Sequence, residues 1–272
     1  MKKSLGISNI AWSGESDDNY LSFVSDMGVS GIELAASIVW DEPINATYIE
    51  RESYRLKIEK HGLKISGLHA LLYSRPDLQL FSQGEEKKRV INYLMKTIDL
   101  CKDLGGKFLV LGSGKNRIRG KLNYNEAFSI AANVLKELGD YAHSKNCILT
   151  IEPLPSSICD FIINMKEALD LVEMVNSPGV KLHFDSGSAD ITESDADNDK
   201  MLELFQNVQH CQVNDFELLP PGSTDSSKHL IWSKYLNLSN YQSWINIEMR
   251  RCEDPRTTIE KAIKYIKNIY FI

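Results

Sequence analysis

Residues 181–185 read KLHFD, and their alternation decides the fold. Leu182 and Phe184 alternate with His183 and Asp185, so a strand here sends one set to each face. Three other stretches follow suit. In LTIEP (149–153), Leu149 and Ile151 alternate with Thr150 and Glu152; in HCQVND (210–215), Cys211 and Val213 alternate with His210, Gln212 and Asn214. In INIEMR (245–250), Ile245, Ile247 and Met249 alternate with Asn246, Glu248 and Arg250. Strands buried between two apolar layers read as unbroken apolar runs. These four do not. Period two places each apolar set against a helix layer and each polar set inside a barrel.

Working outward, the chain repeats a polar amphipathic stretch, then Gly or Asn, then a short β-rich run. The joints are Gly28 (DMG–VSGIEL), Gly62 (KHG–LKISGL), Gly105 (DLGG–KFLVLG) and Asn146 (HSKN–CILTIE). Gly or Asn just past a helix is the usual left-handed cap, so each joint reads as helix, stop, strand. Val90, Leu94, Ile98 and Cys101 share one helical face. Asn123 with Glu126 forms a capping-box pattern, and Asp254-Pro255 opens the last helix. Eight strands are predicted, at 5–10, 31–35, 64–69, 107–112, 147–152, 180–185, 208–213 and 244–249. Strict β/α alternation with no Pro/Ser-rich linker predicts a single-domain (β/α)8 TIM barrel over residues 1–272, with an open doubly wound sheet as the alternative.

Bulk properties narrow the function. With 31 basic and 37 acidic residues, the net charge of −6 predicts no general attraction to nucleic acid. Five cysteines without CxxC spacing argue against a disulfide framework or zinc ribbon and fit a reducing cytoplasm. The opening MKKSLGISNIAWSGESDD is a poor secretory signal, and no apolar run approaches the ~20 residues of a membrane helix, so a cytoplasmic protein is expected.

The polar members of the last four strands cluster at the C-terminal strand ends, the face where barrel enzymes carry their sites. Three carboxylates converging there repel one another unless protonated or neutralised. A divalent cation ligated by Glu152, Asp185, Gln212 and Glu248 resolves this. Oxygen-rich ligation points to Mn2+ or Mg2+, with Co2+ or Zn2+ as further candidates. The competing reading is that Arg250, His183 and Lys115 neutralise the acids as ion pairs.

SNIAW (8–12), GIELA (31–35), TIEP (150–153), HFD (183–185), HCQVND and INIEM (245–249) together resemble the xylose-isomerase-like barrel superfamily, which holds ketose 3-epimerases, hydroxypyruvate isomerase, inosose dehydratases and, more distantly, endonuclease IV. The resemblance spans nearly the whole chain, and the order and strand placement of short motifs carry it. It implies Glu152, Asp185, Gln212 and Glu248 as metal ligands. Two departures stand out. The seventh-strand motif, usually H-x-H, reads His210-Cys211-Gln212, as Gln does in hydroxypyruvate-isomerase-like members; His210, one pleat deeper, is the alternative ligand. Ile158 and Ser188 stand where 3-epimerases carry a substrate-binding Glu and His, which argues against ketohexose 3-epimerase activity.

The resemblance implies a sugar, sugar-phosphate or hydroxy-keto-acid isomerase or epimerase, transferring a proton through an enediolate. Glu152 and Glu248 would alternate as base and acid. An inosose-dehydratase-like lyase and a non-catalytic sugar-binding barrel are the alternatives; an endonuclease-IV-like reading lacks a strand-four ligand, because Gly112 stands there. The substrate is a small polyhydroxylated molecule, and a homo-oligomer is compatible. His69, Lys115, Arg117, His183, His210 and Arg250 are substrate-binding candidates.

Each carries an ordinary reading beside the functional one. His69 reads equally as a hydrogen-bonded core histidine, and Glu33 as a barrel-interior ion pair. Lys115, Arg117 and Arg119, in GSGKNRIRG (112–120), meet a substrate anion or form a solvated face; the loop lacks a P-loop pattern. Trp12 and Trp40 line the mouth or pack in the core. His229 belongs to a lid or to the surface. Residues 195–199 read as an acidic surface turn.

Overall fold

The computed structural model describes residues 3–193, 197–224 and 226–272. Eight parallel strands among them close into a barrel in sequence order: β1 Ser4–Ser8, β2 Gly31–Ala35, β3 Lys64–His69, β4 Phe108–Leu111, β5 Ile148–Ile151, β6 Val180–Asp185, β7 Val208–Val213 and β8 Trp244–Ile247. The outer layer comprises α1 Asp17–Asp26, α2 Tyr48–Lys60, α3 Gly84–Asp103, α4 Tyr124–Ser144, α5 Met165–Val175, α6 Ser186–Thr192, α7 Asn198–Gln206, α8 Ser226–Leu238 and α9 Pro255–Tyr270. Of the acidic turn expected at 195–199, residues 195 and 196 lie outside the described residues.

The expected joints are present. Gly28, Gly62 and Gly105 adopt φ of 76°, 74° and 78°, and Asn146 adopts 60°, the left-handed conformation that ends a helix cheaply only for such residues. Asn123 and Glu126 form the reciprocal capping box at the start of α4, and Asp254 caps α9 ahead of Pro255. Val90, Leu94, Ile98 and Cys101 of α3 are all buried in the layer between helices and sheet.

Four strands end earlier than expected, β4 and β5 by one residue and β1 and β8 by two. The first strand stops at Ser8, whose Oγ accepts from Ile10 N and turns residues Asn9–Trp12 into a 3-10 helix. The eighth stops at Ile247, leaving Glu248 just past the sheet edge. Glu152 likewise follows the last residue of β5. Both acids therefore stand on the rim rather than within the cylinder.

Candidate active site

The inside of the barrel is layered, and its lower polar layer centres on Glu33 of β2. Glu33 is fully buried; its Oε1 meets His210 Nε2 of β7, and its Oε2 lies 2.8 Å from Gln212 Nε2. Asn246 Nδ2 of β8 stands 3.4 Å from the same Oε1, while Asn246 Oδ1 accepts from Ser66 Oγ at 3.2 Å. Gly6 makes room for this layer, since a Cβ there would stand 1.8 Å from Asn246 Oδ1. Phe108 stacks on His210 with ring centroids 4.4 Å apart. Burial acts to raise the Glu33 carboxyl, but His210 against it outweighs that, with His69 and His183 nearby, and the net direction is down. The barrel-interior partner expected for Glu33 is present as the buried His210 contact.

Above this floor lies the rim. Asp185 is in register with Gln212 across β6 and β7, and Gln212 with Asn246 across β7 and β8. Asp185 Oδ1 accepts from Ser188 N at 2.8 Å and Oδ2 from Asn214 Nδ2 at 2.6 Å. Glu248 Oε1 is 2.8 Å from His69 Nδ1, and His69 Nε2 is 2.7 Å from Ser8 Oγ, so a chain Ser8–His69–Glu248, buried at its first two members and half-buried at the third, crosses from β1 through β3 to the end of β8. Glu152 folds into the space over Gly112: a Cβ at 112 would lie 1.6 Å from Glu152 Oε2. No side chain from the end of β4 fits beside Glu152 as placed, which agrees with the missing strand-four ligand.

The electrostatics show the three acids facing one another. Burial, followed by the charges of Asp185 and Glu248, pushes the Glu152 carboxyl well up, and Arg117 pulls it partly back. Burial and Glu248 push Asp185 up to about 7 against the hydrogen bonds from Ser188 and Asn214. Burial would lower His69, but Glu248, then Glu33, outweigh it and raise it.

The remaining candidates divide. Arg117 is buried against the site, donating from NH2 to the Glu152 carbonyl at 2.6 Å with its Nε unpaired. Lys115 is exposed, and Arg119 is tied to Asp160, so the three cations of that loop do not act together. Arg250 is exposed beyond β8, its backbone nitrogen bonded to Leu218 O. His183 and His210 lie in the barrel interior below the rim; burial, then His210, lowers His183 to about 3, and both its ring nitrogens lack partners. With His210 Nε2 committed to Glu33, Gln212 rather than His210 stands level with Asp185. Trp12 packs in the core, stacked on Tyr20, and Trp40 packs edge-on against Tyr54.

His229 is not on the surface. It is buried between Asp215 Oδ1 at 2.8 Å and Tyr270 OH at 2.7 Å, and Asp215 also accepts from Gly222 N, Ser223 Oγ and Thr224 N and Oγ1. Nothing in the local pattern around residue 229 marks this contact. The Ser8–His69–Glu248 chain and the clearance at Gly112 likewise have no local sequence signal.

Among the described residues, no three His, Cys, Asp or Glu side chains come close enough together to hold an ion by themselves. The donor chemistry nevertheless suits an oxygen-ligated cation. Each Asp185 oxygen keeps a second lone pair beside its one hydrogen bond, and Glu248 commits Oε1 alone to His69. Gln212 Oε1 is buried with no partner, which costs about 1–3 kcal/mol while it stays unpaired.

The xylose isomerase-like TIM barrel family model matches residues 21–269. The chain belongs to this family. Solved structures with the same fold as this family member include the 3-keto-D-glucoside 4-epimerase of E. coli (18% identity, TM-score 0.81, covering 98% of this chain and 100% of that one). A D-psicose 3-epimerase of Clostridium cellulolyticum H10, solved with D-tagatose, is 14% identical with a TM-score of 0.81 and covers 99% of each chain. An L-ribulose 3-epimerase is 16% identical with a TM-score of 0.80, covering 100% of this chain and 95% of that one. No curated protein matches this family member by sequence. Among the described residues, no helix is long and apolar enough to cross a membrane.

Proposed function

We propose that this barrel is a divalent-cation-dependent isomerase or epimerase of small polyhydroxylated carbonyl compounds. One observation carries the reading: Glu152, Asp185 and Glu248, from the ends of β5, β6 and β8, oppose one another electrostatically on the rim, beside the unpaired Gln212 Oε1. Mutually repelling acids in a buried setting are costly, and a cation is the group that removes the cost. The neighbouring solved structures are sugar epimerases, which agrees with this reading.

Glu152, Asp185, Gln212 and Glu248 would hold the cation. Mn2+ or Mg2+ bound there supplies positive charge that polarises a substrate carbonyl. The chain's own residues do the rest. Glu152 and Glu248, three strands apart, approach the substrate from different sides: one takes the proton from the carbon beside the carbonyl, and the other returns it. Return to the opposite face of the same carbon is epimerisation; return to the former carbonyl carbon is isomerisation. His69, braced by Ser8, keeps Glu248 in one orientation. Arg117 holds the Glu152 backbone and brings a buried cation to the site for a substrate oxygen. Ile158 and Ser188, in place of the Glu and His expected for a ketohexose 3-epimerase, favour a different substrate from that class.

The test is deuterium uptake from D2O at the carbon beside the carbonyl, across a panel of ketoses, their phosphates and hydroxy-keto acids. Exchange on at least one compound, abolished in Glu152→Gln and Glu248→Gln, is expected. No exchange on any compound with Mn2+-loaded protein overturns the proposal.

A further inference from the structure

Gln212 is the one proposed ligand whose chemistry depends on which way it points. An amide carries two donors on one arm and an acceptor on the other, so a half-turn replaces a cation ligand with an NH2 group that repels the cation. That choice is made in the layer below. The Glu33 carboxylate only accepts; Oε1 meets His210 and Oε2 lies 2.8 Å from Gln212 Nε2. Asn246, the register neighbour of Gln212 on β8, adds its Nδ2 at 3.4 Å to the same Oε1 and lies 3.2 Å from His210 Nε2, so the carboxylate is gripped from β7 and β8 together. With its nitrogen arm turned to Glu33, Gln212 keeps its oxygen arm as a buried acceptor without a partner. His183, on the adjacent strand, is the nearest competitor for that oxygen: Gln212 acts on it electrostatically as a hydrogen-bonding neighbour, yet neither of its ring nitrogens meets Oε1 in hydrogen-bond geometry.

We infer that Glu33 is a positioning residue that fixes the Gln212 amide with its oxygen presented to the cation site, giving the site four oxygen donors and a preference for harder ions. The inference rests on the cation reading above and specifies it further. An imidazole at 212 would offer nitrogen, a ligand that favours later transition metals such as Co2+. An amide oxygen, like the carboxylates around it, suits Mn2+ and Mg2+. Glu33 stands in the relation that outer-layer carboxylates hold to metal-bound imidazoles elsewhere, orienting a ligand without touching the ion.

The experiment titrates chelator-stripped protein with Mn2+, read by the electron paramagnetic resonance signal of the free ion, and with Co2+, read by calorimetry. Wild type, Glu33→Gln, Gln212→Ala, the double variant and Gln212→His are compared, with thermal melts of the stripped proteins as a check of folding. Glu33→Gln places a second amide against Gln212 and frees it to turn, so Mn2+ affinity is expected to fall roughly 10- to 100-fold, the usual cost of losing an outer partner. Gln212→Ala is expected to lose as much, and the double variant no more than either single one, because the two residues act as a unit. Gln212→His is expected to raise the ratio of Co2+ to Mn2+ affinity by about tenfold or more. If wild type binds no Mn2+, the cation reading and this inference fall together. If wild type binds Mn2+ but Glu33→Gln or Gln212→Ala binds it equally well, or the losses add, this inference alone falls. Should Glu33→Gln not fold, Gln212→Ala and Gln212→His decide it: undiminished Mn2+ affinity in the first, or an unchanged Co2+ to Mn2+ ratio in the second, overturns it.

Discussion

Adding one methyl group at position 112 tests whether the Glu152 carboxylate has to be where it is. In Gly112→Ala the new Cβ would lie 1.6 Å from Glu152 Oε2 and 2.7 Å from its Cδ. Ordinary contact begins at 3.4 Å, so the carboxylate must retreat by about 1.8 Å, the difference between that and 1.6 Å. The obstacle is the far end of a flexible side chain, and Gly112 is not among the residues of positive φ, so the backbone has no reason to move. Alanine also restricts the unfolded chain, by roughly 0.4–1 kcal/mol in favour of the fold. Thermal stability is therefore expected to change by no more than about 3 °C. Function is expected to respond differently. A reacting group misplaced by about 1 Å costs about 100-fold in rate, so deuterium exchange should fall by at least that factor. Mn2+ affinity should fall with it, since the same carboxylate serves as a ligand. The assay is D2O exchange on the most reactive compound of the panel, with Mn2+ titration and calorimetric melting on the same preparation. A Gly112→Ala protein that exchanges and binds Mn2+ as wild type does would refute the reasoning.

Other expectations follow from the same contacts. His69→Gln removes the imidazole that bridges Ser8 and Glu248, and kcat is expected to drop about 10- to 100-fold while the fold persists; unchanged kcat contradicts the bracing role. Burial alone would raise the Asp215 carboxyl, but His229, Thr224 and Gly222 outweigh it and hold it well below the usual range. A depressed folded-state value means that the stabilisation is complete above the unfolded value of about 3.9 and is lost as pH falls from there through the lower folded-state value. Melting temperature should accordingly decline more steeply below about pH 4 in wild type than in Asp215→Asn, and equal slopes contradict this. Asn123→Ala breaks the capping box of α4 and should cost about 1 kcal/mol, read by urea unfolding, with no effect on Mn2+ affinity.

Local periodicity carried much of the architecture. Leu182, Phe184 and Ile245 could face the helices only if His183, Asp185 and Asn246 faced the interior, and the contacts agree: Phe184 meets Phe205 of α7 and Trp232 of α8, while His183 lies beside His210 and Asn246 reaches Glu33. Left-handed caps at Gly28, Gly62, Gly105 and Asn146 mark joints because only such residues hold that conformation at little cost. What stayed hidden depends on contacts across the barrel. Glu33 meets His210 and Gln212 over sequence separations of 177 and 179 residues, and no local period encodes which strands close the cylinder at that level. His229 and Arg117 look in sequence like surface or rim groups because loops have no period; the burial of both comes from Tyr270 with Asp215, and from the turn that follows β4. Gly112 reads in sequence only as the end of an apolar run, and its role emerges once Glu152 of the neighbouring strand leans over it.

The proposed chemistry requires a cation among four oxygens at the C-terminal rim. Anomalous diffraction at the manganese edge from a crystal soaked in Mn2+ tests it most directly. One peak in contact with Glu152, Asp185, Gln212 and Glu248 is the predicted result. A well-ordered soaked crystal with no peak there, or with manganese bound only at other residues, contradicts it.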